Sequence, residues 1–275
     1  MTSGNPKRQI ILELVQVVSF IDLTPHMRRI TVMSNGLIGL QGLIPGIHLK
    51  LLIPQPGQEK PILPVFDAEG QPLPPPEHGL PSVRTYTVRS FVPETGELAI
   101  DFVLHGDEGP ASAWATTVQI GSYLGIALRG GIPYRQADWY LLAGDQTALP
   151  AISAILEQLP ASANGLAFVE ISDATEEQAL YYKANIALHW LHRNGIEAGR
   201  STILEEAIRS APIPEGRSDV RFIWVATESS ATKRIRDYLR MRYQLAHHEL
   251  HAAAYWKLGM NEDTYQEMRH RGSEQ

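Results

Sequence analysis

Two stretches bring together residue types that could act on one ligand. The first is RTYTVRS, Arg84–Ser90. Side chains alternate along an extended segment, so Arg84, Tyr86 and Val88 fall on one side and Thr85, Thr87 and Arg89 on the other. An aromatic ring beside guanidinium groups and hydroxyls suits a large, flat, phosphate-bearing ligand: the ring packs on a plane, and guanidinium gives charge-assisted bonds to phosphate oxygens. The second is DFVLHGDEGPASAWA, Asp101–Ala115. Its apolar run ends at Leu104 and the chain turns through Gly106, Gly109 and Pro110 into Ala111, Ser112, Ala113 and Trp114. A turn into a short helix offers N–H groups that can receive a diphosphate. Read singly, Arg84 and Arg89 also fit the rim of a solvated strand, Tyr86 a barrel filler, and Gly109-Pro110 an ordinary turn. A third stretch, AGDQTALP at Ala143–Pro150, follows a strand pattern and opens a helical one. Its backbone and the Thr147 hydroxyl are suited to a cofactor at the carboxyl end of a sheet. It is not the glycine fingerprint of a dinucleotide fold, and Asp145 with Thr147 also reads as a capping pair.

The elements that must position these stretches change character along the chain. Strand patterns cover Ile10–Phe20, Met27–Met33, Gly46–Ile53, Arg84–Phe91, Glu97–Leu104 and Ser122–Leu128, with a hairpin turn at Pro93–Gly96. Met1–Arg8 reads as a loose tail, and Pro54–Pro81 as a Pro- and Gly-rich excursion suited to a rim or cover. Lys50 and His48 lie opposite Ile47, Leu49 and Leu51, so Lys50 does not share their core. Six strands, irregular loops and one short helix fit a small antiparallel barrel. Beyond Gly131–Ala137 strands and helices alternate. Trp139–Ala143 is a strand, Gly144 and Asp145 a turn, and Ala148–Gln158 a helix. Strands then follow at Leu166–Ile171, Asn185–Leu191, Val220–Ala226 and Glu249–Trp256, with helices at Thr202–Arg209 and Ser229–Tyr243. The expected architecture is a two-domain protein, a six-stranded antiparallel barrel over 1–134 and a doubly wound α/β domain over 135–275.

A chain of 275 residues can bury two cores. Its formal net charge of -6 argues against general nucleic-acid binding, which needs a concentrated basic surface. With no cysteine, disulfides, a catalytic thiol and cysteine-ligated clusters are excluded. His247, His248 and His251 come nearest to a metal set but lack a recognised ligand spacing, so no metal site is expected. No signal peptide is evident and no stretch is long enough for a transmembrane helix, so a cytoplasmic protein without stable membrane insertion is expected.

RTYTVRS, HGDEGPASAWA and LLAGDQTALPAISAILEQLP resemble the siderophore-interacting protein family, flavin-dependent ferric-siderophore reductases of the ferredoxin-NADP reductase superfamily. The resemblance continues through HWLHR, WVATESSATKRIRDYLR and AYWKLG, nearly the whole chain. It implies noncovalent FAD in the barrel, NADH or NADPH as electron donor, and a ferric siderophore as substrate of a monomer. It assigns Arg84, Thr85, Tyr86, Thr87, Val88 and Arg89 to the cofactor strand, with Tyr86 beside the isoalloxazine and Arg84 near the diphosphate. Val103 and His105 line the cofactor, and Gly109, Ala111 and Ser112 supply the phosphate turn. Asp145, Thr147 and Ala148 lie against the flavin, and Trp256 covers it. A basic triad receiving the anionic chelate corresponds to Lys50, Arg129 and Lys257. No side chain is needed as acid, base or nucleophile, because the cofactor carries the redox chemistry. The chain departs from the family pattern at Gln146, where Glu is usual, and at Ala254, where Gly is usual. Two other readings remain: a flavin reductase exchanging electrons with a protein such as ferredoxin, and a siderophore-binding module without turnover.

Overall fold

The structure, a computed structural model, describes residues 10–67, 71, 73–106, 109–215, 220–262 and 264. The tail expected at Met1–Arg8, and Asp107 and Glu108 of the second stretch, lie outside them. The chain forms two compact units, Met1–Asp22 with Arg28–Ile132, and Leu23–Met27 with Pro133–Gln275.

In the first unit β1 (Ile11–Thr24), β2 (Met27–Met33), β3 (His48–Ile53), β4 (Ser82–Thr87), β5 (Ser90–Val92), β6 (Glu97–Val103) and β7 (Tyr123–Leu128) make one seven-stranded sheet. Its order is β4-β3-β7-β1-β2-β6-β5. The first and last strands of that order are joined through Val88 and Arg89 alone, so the sheet has to curl until its two ends meet. Here the structure corrects the six-strand expectation: Arg84–Phe91 is two strands. The chain changes partner at this point, Val88 N–H donating to Ile47 O (2.9 Å) and Arg89 N–H to Ala99 O (2.9 Å). The curl encloses Val15, Ile30, Leu49, Leu51, Leu98, Phe102, Leu124 and Ile126, all essentially inaccessible to solvent. Alternation along β3 is as expected, Leu49 and Leu51 buried and Lys50 half-buried. Asp101 on β6 is buried too, and it accepts both arms of the Arg29 guanidinium (2.7 and 2.8 Å), which meets the cost of burying a carboxylate.

The second unit holds β8 (Trp139–Asp145), α2 (Leu149–Gln158), β9 (Asn164–Ile171), β10 (Asn185–His192), α3 (Ile203–Ser210), β11 (Arg221–Glu228), α4 (Ser229–Tyr243) and β12 (Leu250–Trp256). The helix that precedes them in the barrel, α1, spans Pro110–Thr117. The five strands are parallel in the order β10-β9-β8-β11-β12. Leu141 and Ala143 of β8 pack with Leu204 and Ile208 of α3 and Ile235 and Leu239 of α4. The alternate residue Gly144 faces α2 instead, where an added Cβ would lie 2.5 Å from Ala148 Cβ and 2.5 Å from Ala226 O. Helices therefore cover both faces, as a doubly wound sheet requires. Gly144 and Asp145, expected as a turn, are the last residues of β8: close approach to β11 and α2 needs glycine there, and the ladder runs on through it. Among the described residues no helix is long and apolar enough to cross a membrane.

Candidate functional site

In the barrel unit the two chemistry-bearing stretches are joined by an aromatic seam. Tyr86 on β4 lies 4.6 Å from Phe102 on β6, ring centre to ring centre, and Phe102 lies 5.8 Å from Trp114 on α1. Tyr86 is half-buried and Phe102 fully buried. One shielded ring thus fixes the spacing between the RTYT strand and the short helix. Among the described residues β4 has a neighbouring strand on its β3 side only, so it forms one end of the strand order.

The turn into α1 is built for close approach. Gly109, the residue before the helix, has φ 126°, a conformation that favours glycine. Pro110 occupies the first turn, which contains no acidic residue and which, among the described residues, no side chain caps. The Ser112 hydroxyl serves the turn itself: it accepts from His105 N–H (3.0 Å) and donates to Gly106 O (2.8 Å). At the other end of α1 the Arg28 guanidinium donates to Ala115 O (2.9 Å) and Thr116 O (3.3 Å). Positive charge at the carboxyl end and uncapped amides at the amino end leave this helix suited to an anion at its N-terminus.

The other sites assigned to this unit divide. Arg84 is half-buried, with its guanidinium on Val83 O (2.8 Å). Thr85 accepts from Lys50 Nζ (2.5 Å) across the β3–β4 ladder. Val103 is half-buried and His105 exposed. Thr87, Val88 and Arg89 are interior: Val88 joins the barrel core, and Arg89 lies 3.7 Å from the Asp101 carboxylate. Their side chains shape the crossing from β4 to β5. Arg129 is exposed, directly after the Leu128 that pairs with Leu49.

In the second unit the carboxyl ends of the strands converge on Asp145. One carboxylate oxygen accepts from Thr147 N–H (2.9 Å) and the Thr147 hydroxyl (2.5 Å). The other accepts from the Thr227 hydroxyl (2.8 Å) and the Trp256 indole N–H (2.7 Å). Asp145 thus closes the turn on Thr147 and ties two further strands to it, but the pair does not cap α2, whose N-cap residue is Ala148 and has no side-chain cap. Ala148 is buried beneath the turn. The Trp256 ring packs over Gly199, where a Cβ would sit 2.9 Å from it, at a φ of +80°. Lys257 is half-buried and bridges to Met260, and the following Leu258 N–H donates to Glu228 (3.4 Å), the carboxylate that also caps α4. Glu170, level with Asp145 on β9, has its carboxyl pushed up chiefly by burial and then by the Asp145 charge, with Arg193 opposing. His251 of the histidine trio stacks on Trp224 at 5.8 Å, and burial pulls its imidazole down.

Phe102, Thr227, Glu228 and Glu176 escaped the sequence reading. Phe102 had a usable signal, since it alternates with Ile100 in LAIDF and faces the same core. Thr227 and Glu176 are polar residues whose partners lie far along the chain, and nothing local marks them; Glu228 caps α4 at Ser230 and Ala231, a local signal of an acidic residue just before a helix.

The chain thus runs from a curled antiparallel sheet with its short helix into a doubly wound parallel sheet. Family models match both parts: the siderophore-interacting FAD-binding domain over residues 16–131 and the siderophore-interacting protein domain over residues 137–259. The chain is 35% identical over 269 residues to the ferric vibriobactin reductase ViuB of Vibrio cholerae, covering 97% of each. Among solved structures it is similar to a siderophore utilization protein from T. fusca (TM-score 0.82, 36% identity, 92% of this chain and 95% of that one). It is also similar to SipS, a siderophore-interacting protein from Aeromonas hydrophila (TM-score 0.78, 33% identity, 96% and 98% covered). The chain belongs to the siderophore-interacting protein family and carries its FAD-binding domain.

The barrel fits that cofactor. A half-buried tyrosine at a strand edge, an arginine two residues before it and a helix whose first turn holds no carboxylate and, among the described residues, no side-chain cap are groups suited to a flavin with a diphosphate. Arg84→Ala is expected to weaken FAD binding through loss of a charge-assisted contact of about 1.5–3 kcal/mol, some tenfold or more in Kd. Fluorescence titration of the apoprotein measures it, and an unchanged Kd removes Arg84 from the site.

Proposed function

We propose that this protein reduces ferric siderophores, using FAD as resident cofactor and NADH or NADPH as donor, and that iron leaves as Fe(II). The observation that supports it most is the likeness to ViuB across 97% of both chains, in a chain whose barrel fits the flavin. FAD when bound supplies the conversion of a two-electron hydride donor into single-electron delivery. The protein's own work is holding and steering. Tyr86, set by Phe102, would seat the ring system; Arg84 and the turn from Gly109 through Ala111 to Ser112 would hold the diphosphate; Val103 and His105 would border it. Asp145, Thr147 and Ala148 shape the turn of the α/β unit on which the donor depends, and Trp256 is anchored to the same carboxylate.

Lys50, Arg129 and Lys257 would receive the anionic chelate. Lys50 and Arg129 border the same β3–β7 ladder, and positive groups in a chain of net charge -6 steer an anion without a lasting salt bridge. Fe(III) would stay within the siderophore's own donors. The proposed setting is the cytoplasm, with the protein acting as a monomer and reduced ferredoxin as the competing donor.

Anaerobic stopped-flow absorbance tests the reading. Purified yellow protein should be bleached by NADH or NADPH, and the prereduced protein should be reoxidised by ferric siderophores in a saturable manner. Lys50→Ala should raise the ferric-siderophore concentration at half-maximal rate, and added salt should shrink that difference by screening. Reduced protein that ferric chelates fail to reoxidise overturns the function; a Lys50 variant indistinguishable from wild type at low salt removes the receiving role.

A further inference from the structure

Gln146, within the Asp145–Thr147 turn, is buried and faces a carboxylate from a distant part of the chain. Its side-chain amide donates to Glu176 Oε2 at 2.9 Å. Glu176 lies in a short 3-10 turn after β9, and its residue surface is 1% exposed. The same oxygen accepts from the Thr24 hydroxyl (2.5 Å). The other accepts from His26 N–H (3.1 Å) and lies 2.7 Å from His26 Nδ1. One buried carboxylate thus ties the turn after β8, the turn after β9 and the tip of the β1–β2 hairpin, all within the second unit.

The oxygen facing Gln146 is an acceptor already fixed by a hydroxyl donor. A carboxylate at 146 would have nearly the shape of the amide but would set acceptor against acceptor and charge against charge in a dry site. We infer that Glu176 is a positioning residue for the Asp145–Thr147 turn, and that the pair works only with an amide at one position and a carboxylate at the other. Gln146 is then half of a matched pair with Glu176. The charged groups around the pair are His26 from the hairpin tip, Asp173 on the 3-10 turn and Glu177 directly after it, Glu177 being held by His192 at 2.8 Å.

The test is a reciprocal swap in the FAD-loaded full chain, read by thermal unfolding at pH 5.5 and pH 8. Gln146→Glu should lower Tm at pH 8 by on the order of 5 °C. In that variant two touching carboxylates share a raised pKa, so stability is retained at low pH and lost as pH rises, and the deficit should narrow at pH 5.5. Glu176→Gln should lower Tm at both pH values. The double variant, which reverses the pair, should recover most of the loss, a coupling that independent sites do not show. A second readout rests on the proposed function: bleaching of the flavin by NADH or NADPH should slow roughly tenfold or more in Gln146→Glu and recover in the double variant. A Gln146→Glu protein with wild-type Tm at pH 8, a double variant no better than the worse single, or a bleaching defect that the swap leaves in place each overturns the inference. If Gln146→Glu alone is insoluble, a soluble double variant supports the pairing and an insoluble one defeats it. Wild-type protein that neither nucleotide bleaches would count against the proposed donor, and the Tm cycle would still decide the pair.

Discussion

Phe102→Ala is expected to strip FAD from the protein and to lower stability by about 3–5 kcal/mol, the range for truncating a fully buried phenylalanine. The ring has no solvent exposure and lies against both parts of the proposed flavin site, Tyr86 at 4.6 Å and Trp114 at 5.8 Å. Its removal leaves a cavity between β4 and α1, into which either aromatic can collapse. Collapse would move the tyrosine ring away from the sheet edge and the helix N-terminus away from the proposed diphosphate position. Holding a large ligand at two points makes binding sensitive to their spacing, so affinity should fall more than stability alone dictates. Phe102→Leu separates the two effects: it keeps most of the apolar volume and should fold, yet it still removes the spacer ring. Equilibrium denaturation and flavin fluorescence on both variants measure this. FAD affinity at the wild-type level in a folded Phe102→Leu protein would show that the seam does not set the site.

The seam also shows what was legible in the sequence. Strand periodicity located β2, β6 and β7 to within a residue or two and α4 to the residue, and the change from strand runs to alternating strands and helices placed both architectures. The split of Arg84–Phe91 into β4 and β5 was not readable, because both halves are extended and only the partner changes, from Ile47 to Ala99. Gly144 misled for a related reason. Glycine before Asp is an ordinary turn signal, but its cause here is the nearness of Ala226 O and Ala148, contacts that depend on the fold. The resemblance named Asp145 and Trp256 as cofactor neighbours, yet no local pattern tells that the two are bonded to each other across 111 positions. Nor does composition show that Arg89 lies beside Asp101 inside the barrel. These polar contacts join residues far apart in sequence, and periodicity carries no record of them.

Asp145→Asn should be the more damaging of the conservative changes in the α/β unit, because no orientation of an amide satisfies the donors around that position. The carboxylate presents one oxygen to Thr147 N–H and its hydroxyl and the other to the Thr227 hydroxyl and the Trp256 indole. Hydroxyls can rotate to accept from an amide NH2; a backbone N–H and an indole N–H cannot. If the asparagine oxygen serves Thr147, its NH2 meets the indole N–H. If it serves Trp256, its NH2 meets the Thr147 amide. Either way a partly buried donor loses its acceptor, at up to about 1–3 kcal/mol, and the charge-assisted strength of the remaining bonds goes with it. The expected result is a lower denaturation midpoint with a changed emission spectrum as Trp256 loosens from Gly199. Glu170 supplies an independent readout. Burial is the first cause of its raised carboxyl pKa and the Asp145 charge the next, so neutralising Asp145 should move Glu170 downward toward the ordinary carboxylate range. Carboxyl-detected NMR titration of wild type and variant follows it directly. A variant with wild-type stability and Trp256 emission would mean that the four bonds to Asp145 do not hold the strand ends together.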